Sequence, residues 1–173
     1  EEAVVALVSL GAGEINDIRN LRDHVVEILT ERGIYVIIAD SMLKPMRKKY
    51  QNEMVRVVQI FPIMRNRSCF DFAVIAGGYN SVNECILLRL PTVIFPNSET
   101  QRDDQPGRAR RASEIGGAIV VESDEQRMIE IAMDRICDED VRSEMAQMLV
   151  NNYADDGADS LAENMISSIK KLG

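Results

Sequence analysis

Short apolar runs punctuate the chain, each closed by a turn signal and most of them followed by residues at helical spacing. Residues 4–10 (VVALVSL) are apolar almost throughout, the pattern of a parallel strand buried on both faces. The run ends in Gly11-Ala12-Gly13, after which Ile18, Leu21, Val25, Ile28 and Leu29 lay a helical stripe through residues 15–32. Gly33 stops that helix, and residues 34–39 (IYVIIA) form a second buried strand ending at Asp40. Strand, glycine loop, helix and strand make a βαβ unit.

The pattern then repeats with variations. Residues 41–50, with Pro45 and four basic side chains, read as a short exposed helix or loop. Residues 54–60 (MVRVVQI) alternate only in part, which predicts a third strand nearer an edge; Phe61-Pro62 breaks it before a short helix at 63–69. A fourth strand at 72–75 stops at Gly77-Gly78 and leads into a helix over 81–90, with Val82, Cys85, Ile86 and Leu88 or Leu90 as its core stripe. A fifth strand (92–95) is cut off by Pro96, a polar loop (97–104) delivers a helix beginning near Pro106, and a sixth strand covers 118–121. Helices at 124–137, 140–151 and 157–171 complete the chain. The expected fold class is therefore α/β: a doubly wound, Rossmann-like parallel sheet of about six strands, helices on both faces and a helical C-terminal tail, as a single domain over residues 1–173.

Candidate chemistry concentrates at the glycine turns. Gly77 and Gly78 let the backbone bend tightly and let a ligand approach bare amides, and the following helix points its free N–H groups and positive dipole end into the gap. Such a gap suits an anion, a diphosphate among them. Asn80 or Ser81 is expected to cap the helix, with Glu84 at capping-box spacing from Ser81. Gly11-x-Gly13 after the first strand, with an acid after the second, resembles the dinucleotide fingerprint, but its third glycine would fall at Asn16, so NAD or FAD binding is disfavoured. A plain βα turn whose glycines avoid strain is the other reading of that loop. Asp104 suits a helix N-cap ahead of a proline.

Composition narrows the classes. At 173 residues, 46% hydrophobic and 28% charged, the chain has the balance of a soluble globular protein with a real core, and no apolar run approaches the roughly 20 residues of a membrane span. A net charge of −8 argues against a nucleic-acid binder that works by neutralising phosphates. Arg102, Arg108, Arg110 and Arg111 run against that average, and face either a phosphate, an acidic surface or solvent. Cys69, Cys85 and Cys137 lack metal-ligand spacing and are expected as reduced thiols in a cytoplasmic protein. The single histidine, His24, leaves little room for a metal cluster or a Ser-His-Asp triad and is assigned to structure. No signal-peptide pattern is visible. The chain opens on Glu1 with apolar residues from Ala3, so it is expected to be cut from something longer.

Four pieces in order carry a family resemblance: Gly78-x-x-Ser81-x-x-Glu84, then residues 90–96 (LPTVIFP), then Asp104-Gln105 followed by Ala109, then Gly116-Gly117-Ala118. They are similar to the donor-binding, C-terminal domain of GT-B fold glycosyltransferases, in particular the peptidoglycan N-acetylglucosaminyl transferase and UDP-glycosyltransferase groups. The resemblance implies that Gly11, Gly13, Gly77, Gly78, Asn80 and Ser81 surround a donor diphosphate, that Glu84 grips the ribose hydroxyls, that Ile60 and Phe61 meet the base, and that Asp104 and Gln105 hold the sugar. It also implies a nucleotide-sugar substrate, a UDP-sugar in the first instance, with no cofactor and no metal. The acceptor would be held by a missing N-terminal domain or a separate subunit, with a membrane-associated acceptor left open. The catalytic base would come from that part. A nucleotide-sugar-binding module without catalysis, or a UDP-sugar epimerase or hydrolase of the same architecture, remains an alternative. Arg108 stands where the family often has asparagine, and Ala76 where many members have histidine, which puts sugar preference and one phosphate contact in doubt.

Overall fold

The computed structural model describes residues 3–11, 16–40, 42, 50–97, 103–152 and 165–167. Six parallel strands form one sheet: β1 (Val5–Ser9), β2 (Tyr35–Ala39), β3 (Val55–Val58), β4 (Phe72–Ala76), β5 (Thr92–Phe95) and β6 (Ala118–Val120). Their order is β3-β2-β1-β4-β5-β6, with β3 at an edge as its partial alternation predicts. The helices are α1 (Asn16–Glu31), α2 (Tyr79–Leu87), α3 (Gln105–Glu114), α4 (Gln126–Cys137) and α5 (Glu139–Asn152), and a 3-10 segment (Ile63–Cys69) carries the chain from β3 across to β4.

Near-continuous apolar strands need cover on both faces, and the residues divide by parity. Ala6, Val8, Phe72, Val74 and Val93 point into one core, which they share with Val25, Leu29, Ile129, Met133 and Ile136 of α1 and α4. Leu7, Ala73, Ile75 and Ile94 point into a second, shared with Val82 and Cys85 of α2 and Ala109 and Ala112 of α3. Helices thus lie on both faces, and the sheet is doubly wound. The chain runs outward from β1 in one direction and from β4 in the other, so a crevice opens between the carboxyl ends of these two strands, where ligands of this fold class bind.

Several boundaries differ from the sequence reading. β3 is four residues, shorter than the run at 54–60, because Ile60 and Phe61 turn out to solvent. α2 starts at Tyr79 with Gly78 as N-cap and makes no side-chain cap bond, so neither Asn80 nor Ser81 is the cap and the Ser81–Glu84 capping box does not form. α3 starts at Gln105, which leaves Pro106 at the second helical position and not the first. The tail helix expected over 157–171 falls outside the described residues except for 165–167, which are helical.

Candidate functional site

The crevice is floored by the turn after β4. Ser9 pairs with Ile75, so Gly11 and Gly77, two residues further along each strand, leave neighbouring strands at the same edge of the sheet. Gly11 adopts φ +85°, a left-handed conformation that favours glycine. Gly13, its expected companion, lies outside the described residues. Gly77 is buried, and a Cβ there would sit 2.8 Å from Cβ of Gln105, so close approach of α3 requires the glycine. Gly78 differs from both: its φ is −62° and a Cβ would meet nothing within 4 Å. Nothing among the described residues demands glycine at 78. The first intrahelical bond of α2 runs from Val82 N–H to Gly78 O, so the amides of Tyr79, Asn80 and Ser81 have no partner within the helix and face the helix's positive end.

The start of α3 leans on the same turn. Asp104 is its N-cap: Oδ1 accepts from Gly107 N–H at 2.9 Å, and a Cβ at Gly107 would collide with that carboxylate. The capping role expected of Asp104 is therefore real, and its second carboxylate oxygen, the atom a Cβ at Gly107 would meet first, makes no hydrogen bond among the described residues. Gln105 Oε1 accepts from Asn97 N–H at 3.0 Å, and Nε2 donates to Asp103 Oδ2 at 3.1 Å. An amide holds two lone pairs and two hydrogens, so one of each is left over.

Arg108 is the residue that the sequence reading undervalued. Its Nη1 donates to the Gly77 carbonyl at 2.5 Å, its Nη2 donates to Asp103 Oδ1 at 2.6 Å, and its Cζ lies 5.3 Å from the centroid of the Tyr79 ring. The side chain is only 14% exposed. The guanidinium beside Asp103 holds that carboxyl below the ordinary aspartate range. In sequence Arg108 is one basic residue in a basic stretch. Its tie to a carbonyl thirty-one positions away has no signal in periodicity or spacing. Arg110 behaves otherwise, pairing with Glu122 at 3.3 Å on the exposed side of α3, and Arg111 is exposed. The four-arginine cluster is thus divided, with Arg102 outside the described residues.

The remaining predicted residues lie on α2 and just after β3. Asn80 is exposed, while Ser81 and Glu84 are partly buried. Glu84 follows Tyr79 by five positions, which places them about 140° apart around the helix. Tyr79 meets α3 through Arg108, so Glu84 occupies the flank turned away from α3, about 9 Å along the axis from Gly78. No hydrogen bond engages the Glu84 carboxylate among the described residues. Ile60 and Phe61 follow β3 at the carboxyl end of the sheet and are 50% and 84% exposed, available to a flat apolar surface. They sit three strand positions from β4, about 14 Å at ordinary strand spacing.

His24 lies in α1 with its Nε2 buried and without a partner among the described residues. Among the described residues no group of three or more His, Cys, Asp or Glu side chains is placed to hold a metal ion, and no helix is long and apolar enough to cross a membrane.

No protein-family model matches the chain, and no curated protein matches it. Solved structures do. MurG of Acinetobacter baumannii superposes with a TM-score of 0.76 at 15% identity, over 97% of this chain and 50% of that one. The calicheamicin glycosyltransferase CalG4 gives 0.71 at 19% identity, over 99% and 45%. The spinosyn rhamnosyltransferase SpnG, complexed with thymidine diphosphate, gives 0.71 at 16% identity, over 87% and 41%. The chain therefore has the fold found in one half of these glycosyltransferases, as the motif resemblance implies, and spans half their length or less.

Proposed function

We propose that this chain is the donor-binding part of a glycosyltransferase and takes a nucleoside-diphosphate sugar, most readily a UDP-sugar, for transfer to an acceptor held by another domain or a partner subunit. One observation carries the reading: the open N-terminus of α2, with glycine at 78 where nothing among the described residues requires it, meets the first turn of α3 at the crevice of a sheet shared with glycosyltransferases.

The chemistry follows from the arrangement. The diphosphate lies against the free amides of α2, where aligned peptide dipoles favour negative charge. Transfer breaks the bond between the sugar and the diphosphate, and the same amides stabilise the charge that builds on the departing group. Glu84, on the far flank of α2, accepts two hydrogen bonds from the ribose, and Ile60 and Phe61 cover the base beyond it. Asp104 and Gln105, on the near side, offer their spare acceptors and donor to the sugar. The base that activates the acceptor comes from outside this chain.

Calorimetric titration with UDP, thymidine diphosphate, uridine and a UDP-sugar tests this directly. UDP should bind, and Glu84→Ala should weaken it by about 1.5–3 kcal/mol, the range for hydrogen bonds to a charged group. That corresponds to roughly 10- to 150-fold in Kd. A protein that binds none of these compounds would rule the proposal out, and an unchanged affinity in Glu84→Ala would remove the ribose role.

A further inference from the structure

Arg108 does more than fill space beside the turn. Its guanidinium closes a chain of hydrogen bonds that begins at Asn97 N–H after β5, passes through the Gln105 amide to Asp103, and ends on the Gly77 carbonyl after β4. The ends of β4, which borders the crevice, and of its neighbour β5 are therefore tied to each other by side chains of one short segment, 103–108. Tyr79 holds the guanidinium from its ring face, and burial keeps water from competing for its donors.

A peptide unit is planar and trans, so the carbonyl of one residue and the N–H of the next point in opposite directions. Holding the Gly77 oxygen toward α3 thus fixes the direction of the Gly78 N–H, which must point away from Arg108. Glycine-glycine linkages have the most rotational freedom of any in the chain, and at 77–78 this contact holds the carbonyl side of the plane. A Cβ built at Gly78 would also meet open space.

We propose that Arg108 is a positioning residue for the donor diphosphate: by clamping the Gly77 carbonyl it orients the Gly77–Gly78 peptide so that the Gly78 amide, with the first amides of α2, faces the anion. Asp103 sets the guanidinium in place for that task. The inference rests on the donor-binding reading above, but it makes a claim about the ligand-free protein that can be checked apart from it.

Two measurements separate the possibilities. In amide NMR spectra of the ligand-free protein, Arg108→Lys and Asp103→Asn should each shift the Gly78 signal and speed its hydrogen exchange, while amides of α4 stay put. In calorimetry, Arg108→Ala should weaken UDP by about tenfold or more and leave uridine, which lacks the diphosphate, within about twofold. A Gly78 amide that does not move in either variant, together with weakened UDP, would overturn positioning and make Arg108 a direct phosphate ligand. Equal losses for UDP and uridine with a lowered melting temperature would overturn it in favour of general stability. Wild-type protein that binds neither compound would end the donor-binding reading, and the Gly78 spectra would still decide whether Arg108 orients the peptide.

Discussion

Gly77 and Gly78 are adjacent and chemically identical, yet the structure gives them separate reasons. At 77 a methyl group would press on Cβ of Gln105, so Gly77→Ala should displace the first turn of α3 and cost about 1–3 kcal/mol, as overpacked positions do. At 78 the backbone is already in a region open to every residue and the space is empty, so Gly78→Ala should change stability by less than about 1 kcal/mol. Its methyl would stand in the path of the ligand, and UDP affinity should fall. Denaturant unfolding and calorimetry on both variants would show the two effects crossed over; a Gly78→Ala protein with normal UDP affinity would mean that the amides are not the binding surface. The glycine pair was legible in the sequence as a tight turn with bare amides. Which glycine serves packing and which serves approach depends on where α3 comes to rest, and Gln105 lies twenty-eight positions from Gly77.

α2 works as a unit because both of its ends are managed. Its N-terminal amides are left open, while the carbonyls just past its C-terminus are taken up by Arg67, whose guanidinium donates to Leu88 O at 3.0 Å and Arg89 O at 3.2 Å and also to Phe70 O, ahead of β4, at 2.6 Å. A cation at this end also suits the helix dipole. Arg89 itself adopts φ +54°, a conformation that costs a residue with a Cβ and is held by the clamp. Arg67→Ala should destabilise the protein by about 1.5–3 kcal/mol, read by chemical denaturation, and loosen the last turn of α2 in hydrogen exchange. A loss under half a kcal/mol would show the clamp to be solvent-screened. Periodicity located α2 but started it two residues late, because Asn80 and Ser81 look like caps and Gly78 does not. The backbone at Gly78 ends the strand-to-helix turn first, and Ser81 is then already inside the helix. At α3 the same reasoning succeeded, since Asp104 reaches Gly107 N–H through local geometry alone.

Taken whole, the molecule is two cores separated by a sheet, and its cysteines report on them. Cys85 is buried in the core beneath α2, and burial pushes its thiol up to about 12, whereas Cys69 is exposed at the end of the 3-10 segment. Alkylation of the native protein near neutral pH should therefore modify Cys69 first and reach Cys85 only through opening of the fold, as mass spectrometry of a time course would show. Cys85 reacting as fast as Cys69 would contradict the arrangement of the second core.

The strand residues declare their places without help, because a parallel strand covered on both faces must be apolar at every position and its neighbours must supply turns. That local rule was enough for the doubly wound sheet, for β3 at the edge and for the approximate position of each described helix. The order of strands around β1 and β4, the seat of Gln105 against Gly77, and the clamp of Arg108 on the Gly77 carbonyl arise from contacts between segments far apart in the chain. Such contacts leave no periodicity behind. They exist only once the sheet has brought β4 and β5 side by side, and on them depends whether the open end of α2 faces solvent or a ligand.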